Sequence, residues 1–221
     1  MKGKLIVIEG LDGSGKATQT ALLCDYIKES GRSYRKLSFP NYESPSSALV
    51  KMYLGGELSS KPDGVNPYAA AAFYAVDRCA DFLKYWKDEY EGGGLFVSDR
   101  YATSNAVYQT SKLPEAQWGD YLRWLEDFEY DKLGVPKPDV VIYLDMDVSV
   151  SQQLLSKRYG GDESKKDIHE LDVGFLRSCR RTALCAAEAL GWHVIRCDDG
   201  RQPRSVSDIS KDIIEAAKPY L

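Results

Sequence analysis

Residues 5–18 read LIVIEGLDGSGKAT, and this stretch decides the fold. An apolar run over residues 5–9 leads into Gly10-x4-Gly15-Lys16, and apolar residues after Lys16 recur at helical spacing. Strand, glycine loop and helix in this order are typical of a phosphate-binding loop. Its backbone N–H groups converge on phosphate oxygens, and the helix N-terminus adds its dipole. The residues assigned to this site are Gly10, Leu11, Asp12, Gly13, Ser14, Gly15, Lys16, Ala17 and Thr18.

The residue after Lys16 departs from the usual pattern. Ala17 stands where a Ser or Thr normally gives a hydroxyl to Mg²⁺. Thr18 follows, but one residue along a helix is ~100° round the axis and points elsewhere. We therefore expect the metal to be held by water, by nucleotide oxygens or by another carboxylate.

Four further β-branched or aromatic runs follow, at residues 34–39, 95–98, 140–145 and 193–197, with helical patterns between them. Strands that alternate with helices imply crossover connections and a parallel sheet. The run at 140–145 is almost unbroken in its hydrophobicity, as expected of a strand buried on both faces. The sequence therefore predicts an α/β protein, a three-layer α/β/α P-loop NTPase fold with a five-stranded parallel sheet.

The chain has 221 residues and no internal repeat, which is typical of one domain or a tight pair. We predict a single domain over residues 1–221. Its most irregular part is residues 160–167, which hold two glycines and five charged side chains. This composition favours a mobile flap, and we expect a short lid at about residues 157–170.

Composition limits the classes of partner. Hydrophobic residues make up 43% and charged residues 28% of the chain, which argues against a disordered or fibrous protein. The net charge is −4, whereas nonspecific nucleic-acid and membrane binders normally carry a basic excess. No apolar run approaches the length of a membrane span or of a signal-peptide core. We expect neither nucleic acid nor membrane as a partner.

Cysteine and histidine usage narrows the location and the chemistry. The five cysteines are odd in number and form no CxxC motif, which predicts reduced thiols in the cytoplasm. The chain has only two histidines. That number argues against a His-rich zinc centre or a Ser/His/Asp triad.

Asp99 and Arg100 follow the third predicted strand. Ligands of open α/β sheets bind outside the carboxyl ends of the strands. A guanidinium there suits a planar, bidentate phosphate contact. An ordinary surface ion pair is the alternative interpretation.

Two residue pairs lie at helical spacing. Tyr74 and Arg78 are four residues apart and share a helix face, so a ring could stack on a base while a guanidinium reaches a base oxygen. Core packing beside a solvated arginine is the alternative. Asn105 and Tyr108 are three residues apart, and the Asn amide offers both a donor and an acceptor. Packing or surface roles stay open for this pair as well.

The order of these motifs resembles that of thymidylate kinases over nearly the whole chain. The P-loop alone indicates only a nucleotide phosphate, and the Phe-Pro-x-Tyr and Asp-Arg-Tyr strings make the resemblance specific. The matching motifs are residues 10–18, Phe39-Pro40-Asn41-Tyr42, Tyr74 with Arg78, Ser98-Asp99-Arg100-Tyr101, Asn105 with Tyr108, and Pro136-Lys137-Pro138-Asp139.

The resemblance implies transfer of the γ-phosphoryl group from ATP to dTMP, giving ADP and dTDP. It also implies Mg²⁺ as cofactor, ATP bound at the P-loop, and a homodimer. Two other functions stay open: a kinase for another nucleotide or deoxynucleoside, and a nucleotide-binding switch without turnover, which Ala17 favours. A fast release of ADP that depends on dTMP would separate the enzyme from the switch.

The resemblance further implies roles in the dTMP site. It gives Arg100 the bridge between the phosphates of the two substrates, Asp12 a contact with the 3′-hydroxyl or its metal, and Tyr108 the discrimination against a 2′-hydroxyl. Arg78 resembles the arginine that contacts thymine O4, and Asn105 would face the base edge. The residues implied for dTMP are Asp12, Phe39, Pro40, Tyr42, Tyr74, Arg78, Asp99, Arg100, Asn105 and Tyr108.

Two of these positions, Tyr74 and Tyr42, depart from the family pattern. Thymidylate kinases usually have Phe where Tyr74 stands, so the stacking ring gains a hydroxyl that needs a partner. Tyr42 lies where some members place an Arg against the acceptor phosphate. More of the contact with this phosphate would therefore be made by Arg100. Phe39 and Pro40 would form an apolar wall against the thymine 5-methyl group.

Cations cluster around the expected lid, namely Lys157, Arg158, Lys165 and Lys166. A solvated basic face is the ordinary interpretation of such a cluster. Family members without an Arg in the P-loop use lid arginines, and this loop has none, so Arg158 is the first candidate. The catalytic residues implied are Asp12, Lys16, Arg100 and Arg158.

Two residues follow the lid. Glu170 resembles an acid that contacts the metal or the sugar, so the metal ligands implied are Asp12 and Glu170. His169 stands where the family often has Tyr, and composition alone favours a surface position for it.

Overall fold

A computed structural model of the chain describes residues 2–162 and 168–221, and it leaves open the side chains of Pro62 and Ile168. Residues 163–167 of the expected lid, which include Lys165 and Lys166, therefore lie outside the described residues. In the described part of the chain, no helix is both long enough and apolar enough to cross a membrane.

Five parallel strands form one sheet in the order β2-β3-β1-β4-β5. The strands are β1 (Lys4–Gly10), β2 (Arg35–Ser38), β3 (Leu95–Asp99), β4 (Val140–Asp145) and β5 (His193–Arg196). In the register, Ile8 pairs with Asp99 on one side and with Ile142 on the other. The P-loop strand therefore lies at the centre of the sheet, and the predicted α/β P-loop fold is confirmed.

Ten α-helices are found among the described residues. They are α1 (Lys16–Glu29), α2 (Ala48–Leu54), α3 (Pro67–Asp81), α4 (Lys87–Glu91), α5 (Thr103–Tyr108), α6 (Trp118–Glu126), α7 (Val148–Tyr159), α8 (Ile168–Leu171), α9 (Val173–Leu190) and α10 (Val206–Ala217). Short 3₁₀ turns occupy Pro45–Ser47, Pro62–Gly64, Thr110–Lys112, Glu115–Gln117 and Lys218–Tyr220.

The alternation of side chains along β1 divides the core between the two faces of the sheet. Ile6 and Ile8 pack on one face in an apolar cluster that includes residues of α1 and α10. Leu5 and Val7 pack on the other face with an aromatic group that includes Trp86 and Phe96. This three-layer packing anchors both ends of the P-loop, because β1 precedes the loop and α1 follows it.

The helix that begins after Asn66 is interrupted. Asn66 caps α3 by accepting from the Tyr68 backbone N–H, with Pro67 at the first helical position. A π-helical segment, Phe82–Trp86, then separates α3 from α4. In an ordinary α-helix, side chains four residues apart rotate gradually away from a common face. The wider turn of the π-helical segment offsets this rotation, so Phe82, Trp86 and Tyr90 all reach the core.

A second π-helical segment, Asp127–Lys132, follows α6. Its buried residue is Glu129, which is 0% exposed. The segment therefore carries a carboxyl group from the end of α6 towards the carboxyl ends of β1 and β3.

Candidate active site

The P-loop connects β1 to α1, and two of its glycines require left-handed backbone. Gly13 and Gly15 have φ of 81° and 89°. A Cβ at Gly13 would lie 2.6 Å from the Ser151 carbonyl oxygen, so this glycine also lets the loop pass close to α7. The Ser14 hydroxyl is buried and has no partner within the described residues. The loop thus has a polar group available to a ligand.

Lys16 lies at the start of α1 with its ammonium group buried. Its Nζ donates to the Leu11 carbonyl oxygen at 2.8 Å and lies 4.0 Å from Asp12. Burial, together with the nearby charge of Arg100, lowers the pKa of Lys16 to about 8. Asp12 therefore does not fully offset the burial of the ammonium, and an anionic ligand would stabilise it further.

Two pockets meet at the carboxyl ends of β1 and β3. The outer groove has an empty volume of about 1530 Å³ and is lined by the P-loop from Asp12 to Gln19, by Met146, Leu154 and Leu155, and by the cations Arg158 and Arg204. The inner pocket has an empty volume of about 560 Å³. Its lining residues are Asp12, Phe39, Pro40, Tyr42, Leu54, Tyr74, Arg78, Arg100, Tyr101, Ser104, Asn105, Tyr108, Gln109 and His169.

The residues expected at the dTMP site converge on the inner pocket, with one exception. Asp99 lines the outer groove instead, because it ends β3 before the chain turns at Arg100. Asp12, Tyr42 and Arg100 line both cavities, so they lie where the two meet. Of the nine P-loop residues assigned from the sequence, the seven from Asp12 to Thr18 line the outer groove, whereas Gly10 and Leu11 line neither cavity. Arg158 also lines the outer groove.

Arg100 is the central cation of the junction. Its backbone has φ of 65°, a conformation that only a few per cent of non-glycine residues adopt. One Nη donates to Asp12 and, at 3.2 Å, to the Tyr108 hydroxyl, which itself donates to Asp12 at 2.8 Å. Burial would raise the pKa of Asp12, but Arg100 and Lys16 together lower it below its ordinary value. The pair therefore stays charged.

Glu9 forms a second carboxylate contact with Arg100. In the sequence it was treated only as part of a strand. It is fully buried and accepts from the hydroxyls of Thr103 and Ser104, each at 2.8 Å, and from the Gly10 backbone N–H. Arg100 lies 3.5 Å from the same carboxylate. The available signal was a charged residue inside an apolar strand, since such residues are almost never fully buried unless paired.

The far end of the inner pocket combines aromatic and polar groups. Arg78 is 1% exposed, and its guanidinium lies over the rings of Phe39 and Tyr101 at 5.6 and 5.2 Å. Gln109 is 1% exposed, and its Oε1 has no partner within the described residues. Gln109 was missed in the sequence, although it follows Tyr108 directly.

Glu129 forms a buried ion pair with Arg78. Its two oxygens accept from Arg78 Nε and Nη2 at 3.0 and 2.7 Å. The arginine is therefore not the solvated residue that helical spacing alone allows. No local signal relates the two residues, because they are 51 positions apart in the sequence.

The lid side of the pocket differs from the expectation for His169. The residue is 4% exposed, so the surface position favoured by composition is wrong. Its Nε2 lies 2.9 Å from the Tyr53 hydroxyl, and its ring stacks on Tyr108 at 5.3 Å. Burial lowers the pKa of His169 to about 3. Tyr53 and Tyr108 thus hold a neutral imidazole against the pocket.

The two carboxylates implied as metal ligands differ in their position relative to the two cavities. Asp12 lines both cavities, whereas Glu170 lines neither and accepts from the Tyr159 hydroxyl at 3.2 Å. Over residues 2–162 and 168–221, no group of three or more His, Cys, Asp or Glu residues is arranged to hold a metal ion.

The sheet order, the loop and the two adjoining pockets define a P-loop α/β protein that binds nucleotide phosphates. The thymidylate kinase family model matches residues 8–208. The chain belongs to the thymidylate kinase family.

Individual relatives agree with this membership. The chain is 33% identical to the thymidylate kinase of Mycobacterium tuberculosis over 196 residues, covering 85% of this chain and 87% of the relative. It is 29% identical to the probable thymidylate kinase of Pyrobaculum aerophilum over 213 residues, covering 96% and 95%. The solved structure of thymidylate kinase from Candida albicans has the same fold, with a TM-score of 0.70, 21% identity, and coverage of 100% and 94%.

The lowered pKa of Lys16 predicts that ADP affinity falls as the pH rises above about 8. Bound phosphate favours the charged ammonium, so the pKa of Lys16 is higher in the complex than in the free protein. Affinity is then full below the free value of about 8 and falls by at most about tenfold per pH unit above it. Isothermal titration with ADP between pH 7 and 9.5 measures this slope.

Two variants decide whether Lys16 causes the slope. Lys16→Gln should remove it. Lys112→Gln should retain it, although burial lowers the pKa of Lys112 to about 8 as well, because Lys112 donates to Tyr53 outside the P-loop. An equal slope in native protein and Lys16→Gln would rule out the assignment.

Proposed function

We propose that the chain transfers the γ-phosphoryl group of ATP to dTMP, with ATP in the outer groove and dTMP in the inner pocket. The observation that carries the proposal is the junction of the two cavities at Asp12 and Arg100. Phosphates that approach from either side would meet there. Membership of the thymidylate kinase family supports the identity of both substrates.

Charge neutralisation accounts for the chemistry. The acceptor phosphate of dTMP is already an anionic nucleophile, so the reaction needs no strong general base. Lys16 and Arg100 are positioned to stabilise charge on the transferring group, and Arg158 faces the same groove. The neutral state of His169 fits a site in which proton transfer from a histidine plays no part.

Polar groups at the far end of the inner pocket support recognition of the base. The thymine edge carries an acceptor at O4 and a donor at N3. Arg78 is a donor, and the unpartnered Gln109 Oε1 is an acceptor. Tyr74 offers a ring face, and Phe39 with Pro40 gives an apolar wall for the 5-methyl group.

The position of Tyr108 supports a role near the sugar. Its hydroxyl is held between Asp12 and Arg100, and its ring is backed by His169. A hydroxyl fixed in this way leaves little room for a ribose 2′-hydroxyl. We assign Tyr108 to the discrimination between deoxyribose and ribose on this basis.

The activity is tested by a coupled ADP assay with ATP and each of dTMP, dUMP, dCMP, UMP and dGMP. We expect ADP release to depend on the acceptor and to be fastest with dTMP. Another preferred acceptor would favour the alternative of a different nucleotide kinase. Slow hydrolysis that no acceptor changes would favour a nucleotide-binding switch.

Lys16→Ala is the control for this assay. Removing a cation that follows the migrating phosphoryl charge should cost ~3–4 kcal/mol of transition-state stabilisation, or two to three decades in kcat. Circular dichroism should show native secondary structure. A folded variant that keeps more than about a tenth of kcat would contradict the placement of ATP at this loop.

We infer that Asp12 would hold Mg²⁺ together with oxygens of the bound nucleotide and water. Mg²⁺ usually keeps several waters and uses one or two carboxylates plus substrate phosphates. Asp12 is suitable because it lines both cavities. Glu170 is a less suitable ligand, since it lines neither cavity. When bound, the cation would neutralise charge between the β- and γ-phosphates.

Ala17→Thr should lower the Mg²⁺ concentration required for half-maximal rate, because it restores the hydroxyl at the first turn of α1. Ala17→Val is the matched control, since it has the same branched shape and no hydroxyl. Magnesium titrations at saturating ATP and dTMP compare the three proteins. If Thr and Val shift the midpoint equally, the cation does not lie beside position 17.

We infer a homodimer that pairs through α3 and its continuation. Val76 and Leu83 are 49% and 58% exposed, and Ala69, Ala72 and Ala80 share their helix face. Small residues beside two exposed apolar side chains allow close helix contact. The resemblance to thymidylate kinases supports a second copy as the occupant of this face.

Light scattering should give twice the chain mass of 24.7 kDa for the native protein. Leu83→Asp should give the monomer mass, because it places a charge at the centre of the interface. Val194→Asp, on an edge strand with Val194 46% exposed, should leave the dimer intact. A monomeric native protein would contradict the inference.

We also place the protein in the cytoplasm, since all five cysteines are free thiols and a reducing compartment keeps them so. Cell fractionation followed by immunoblotting tests this location. Recovery in an oxidising compartment would contradict it.

A further inference from the structure

Glu129 lies behind the wall of the inner pocket. It is 0% exposed, and the lining of the pocket includes Arg78 and Asn105 but not Glu129. Both of its oxygens accept from Arg78, and Oε1 also accepts from Asn105 Nδ2 at 3.1 Å. One carboxylate therefore holds two residues of the wall.

The environment of Asn105 fixes the direction of its amide. Nδ2 faces Glu129 Oε1 and, at 3.3 Å, the Ala71 carbonyl oxygen. Both partners can only accept, so this end of the amide has to be the NH₂ group. The Oδ1 atom lies on the side of the amide away from Glu129. It is therefore a hydrogen-bond acceptor for the pocket that Asn105 lines.

The same carboxylate determines what Arg78 offers. Glu129 uses Nε and Nη2, which leaves Nη1 at the opposite edge of the guanidinium plane. Burial lowers the pKa of Arg78, but the charge of Glu129 more than compensates and raises it overall. Arg78 therefore stays a donor. The wall presents a donor from Arg78 and an acceptor from Asn105.

We propose that Glu129 is a positioning residue that sets the hydrogen-bond polarity of this wall, and thereby the preference for a keto over an amino pyrimidine. Thymine and uracil present O4 as acceptor and N3–H as donor, whereas cytosine presents an amino donor and an N3 acceptor. The wall is complementary to the first pattern and opposed to the second. The inference rests on the proposed function, in which dTMP occupies the inner pocket.

Glu129→Gln tests the inference. The amide keeps the size of the side chain but replaces one acceptor oxygen by an NH₂ group, so the amide of Asn105 is no longer held by a carboxylate. We measure kcat/KM for dTMP, dUMP and dCMP. The ratio of dTMP to dCMP should fall by about fivefold or more, in line with the loss of one directed polar contact. A ratio between substrates does not depend on the fraction of folded enzyme.

The ratio of dTMP to dUMP is the internal control. These bases share the keto edge and differ only in the 5-methyl group, which faces Phe39 and Pro40 in the proposed pose. This ratio should stay within about twofold of the native value in Glu129→Gln. An equal fall in both ratios would indicate general damage to the pocket and would overturn the inference.

Two further variants separate polarity from stability. Asp145→Asn breaks another buried carboxylate pair, in which Arg180 donates to Asp145 at 2.7 and 3.0 Å, outside the lining of the inner pocket. It should lower the midpoint of urea unfolding and leave both ratios unchanged. Glu129→Asp keeps two acceptor oxygens and should retain a dTMP-to-dCMP ratio near the native value, even if both rates fall.

The outcomes distinguish this inference from the function on which it rests. A native protein without preference for dTMP over dCMP would remove the proposed function and the inference with it. A native preference that Glu129→Gln leaves unchanged would overturn the inference alone. The inference is likewise overturned if Asp145→Asn lowers the dTMP-to-dCMP ratio as much as Glu129→Gln does.

Discussion

The contact of Arg100 with Glu9 and Asp12 is the constraint on which the two pockets depend. One carboxylate comes from the end of β1 and the other from the P-loop, so a single guanidinium joins the central strand to the loop. The left-handed backbone of Arg100 turns its side chain back over β1. A backbone strained in this way persists only where surrounding contacts hold it in place. Here the two carboxylates and the Tyr108 hydroxyl hold the Arg100 side chain.

This arrangement explains how an acidic chain can bind anionic ligands. The net charge of −4 is spread over the whole sequence, whereas Lys16, Arg100 and Arg158 face one groove. Lys16 and Arg100 are buried close enough for the charge of Arg100 to contribute to the lowered pKa of Lys16. The placement of these cations in a site of low dielectric therefore matters more for anion binding than the net charge of the chain.

The parts of the molecule that could be predicted from sequence are those with a local signal. The P-loop and the five strands each depend on residues that are neighbours in the chain. Contacts between distant residues had no such signal. Glu129 lies in the π-helical segment after α6, where it meets Arg78. His169 is buried against the rings of Tyr53, Tyr108 and Phe175. Resemblance to a family supplied ligand roles, but it did not supply these supporting residues.

The buried pair of Arg78 and Glu129 has a consequence for how this sequence can change over generations. Breaking such a pair by losing one partner costs about 3–5 kcal/mol, a large share of the ~5–15 kcal/mol that holds a typical domain folded. If one of the two residues is replaced before the other, the intermediate protein is less stable. Replacement of both residues at once is rare. The two positions are therefore expected to be inherited together, and the wall of the inner pocket to which Arg78 belongs is expected to be conserved along with them.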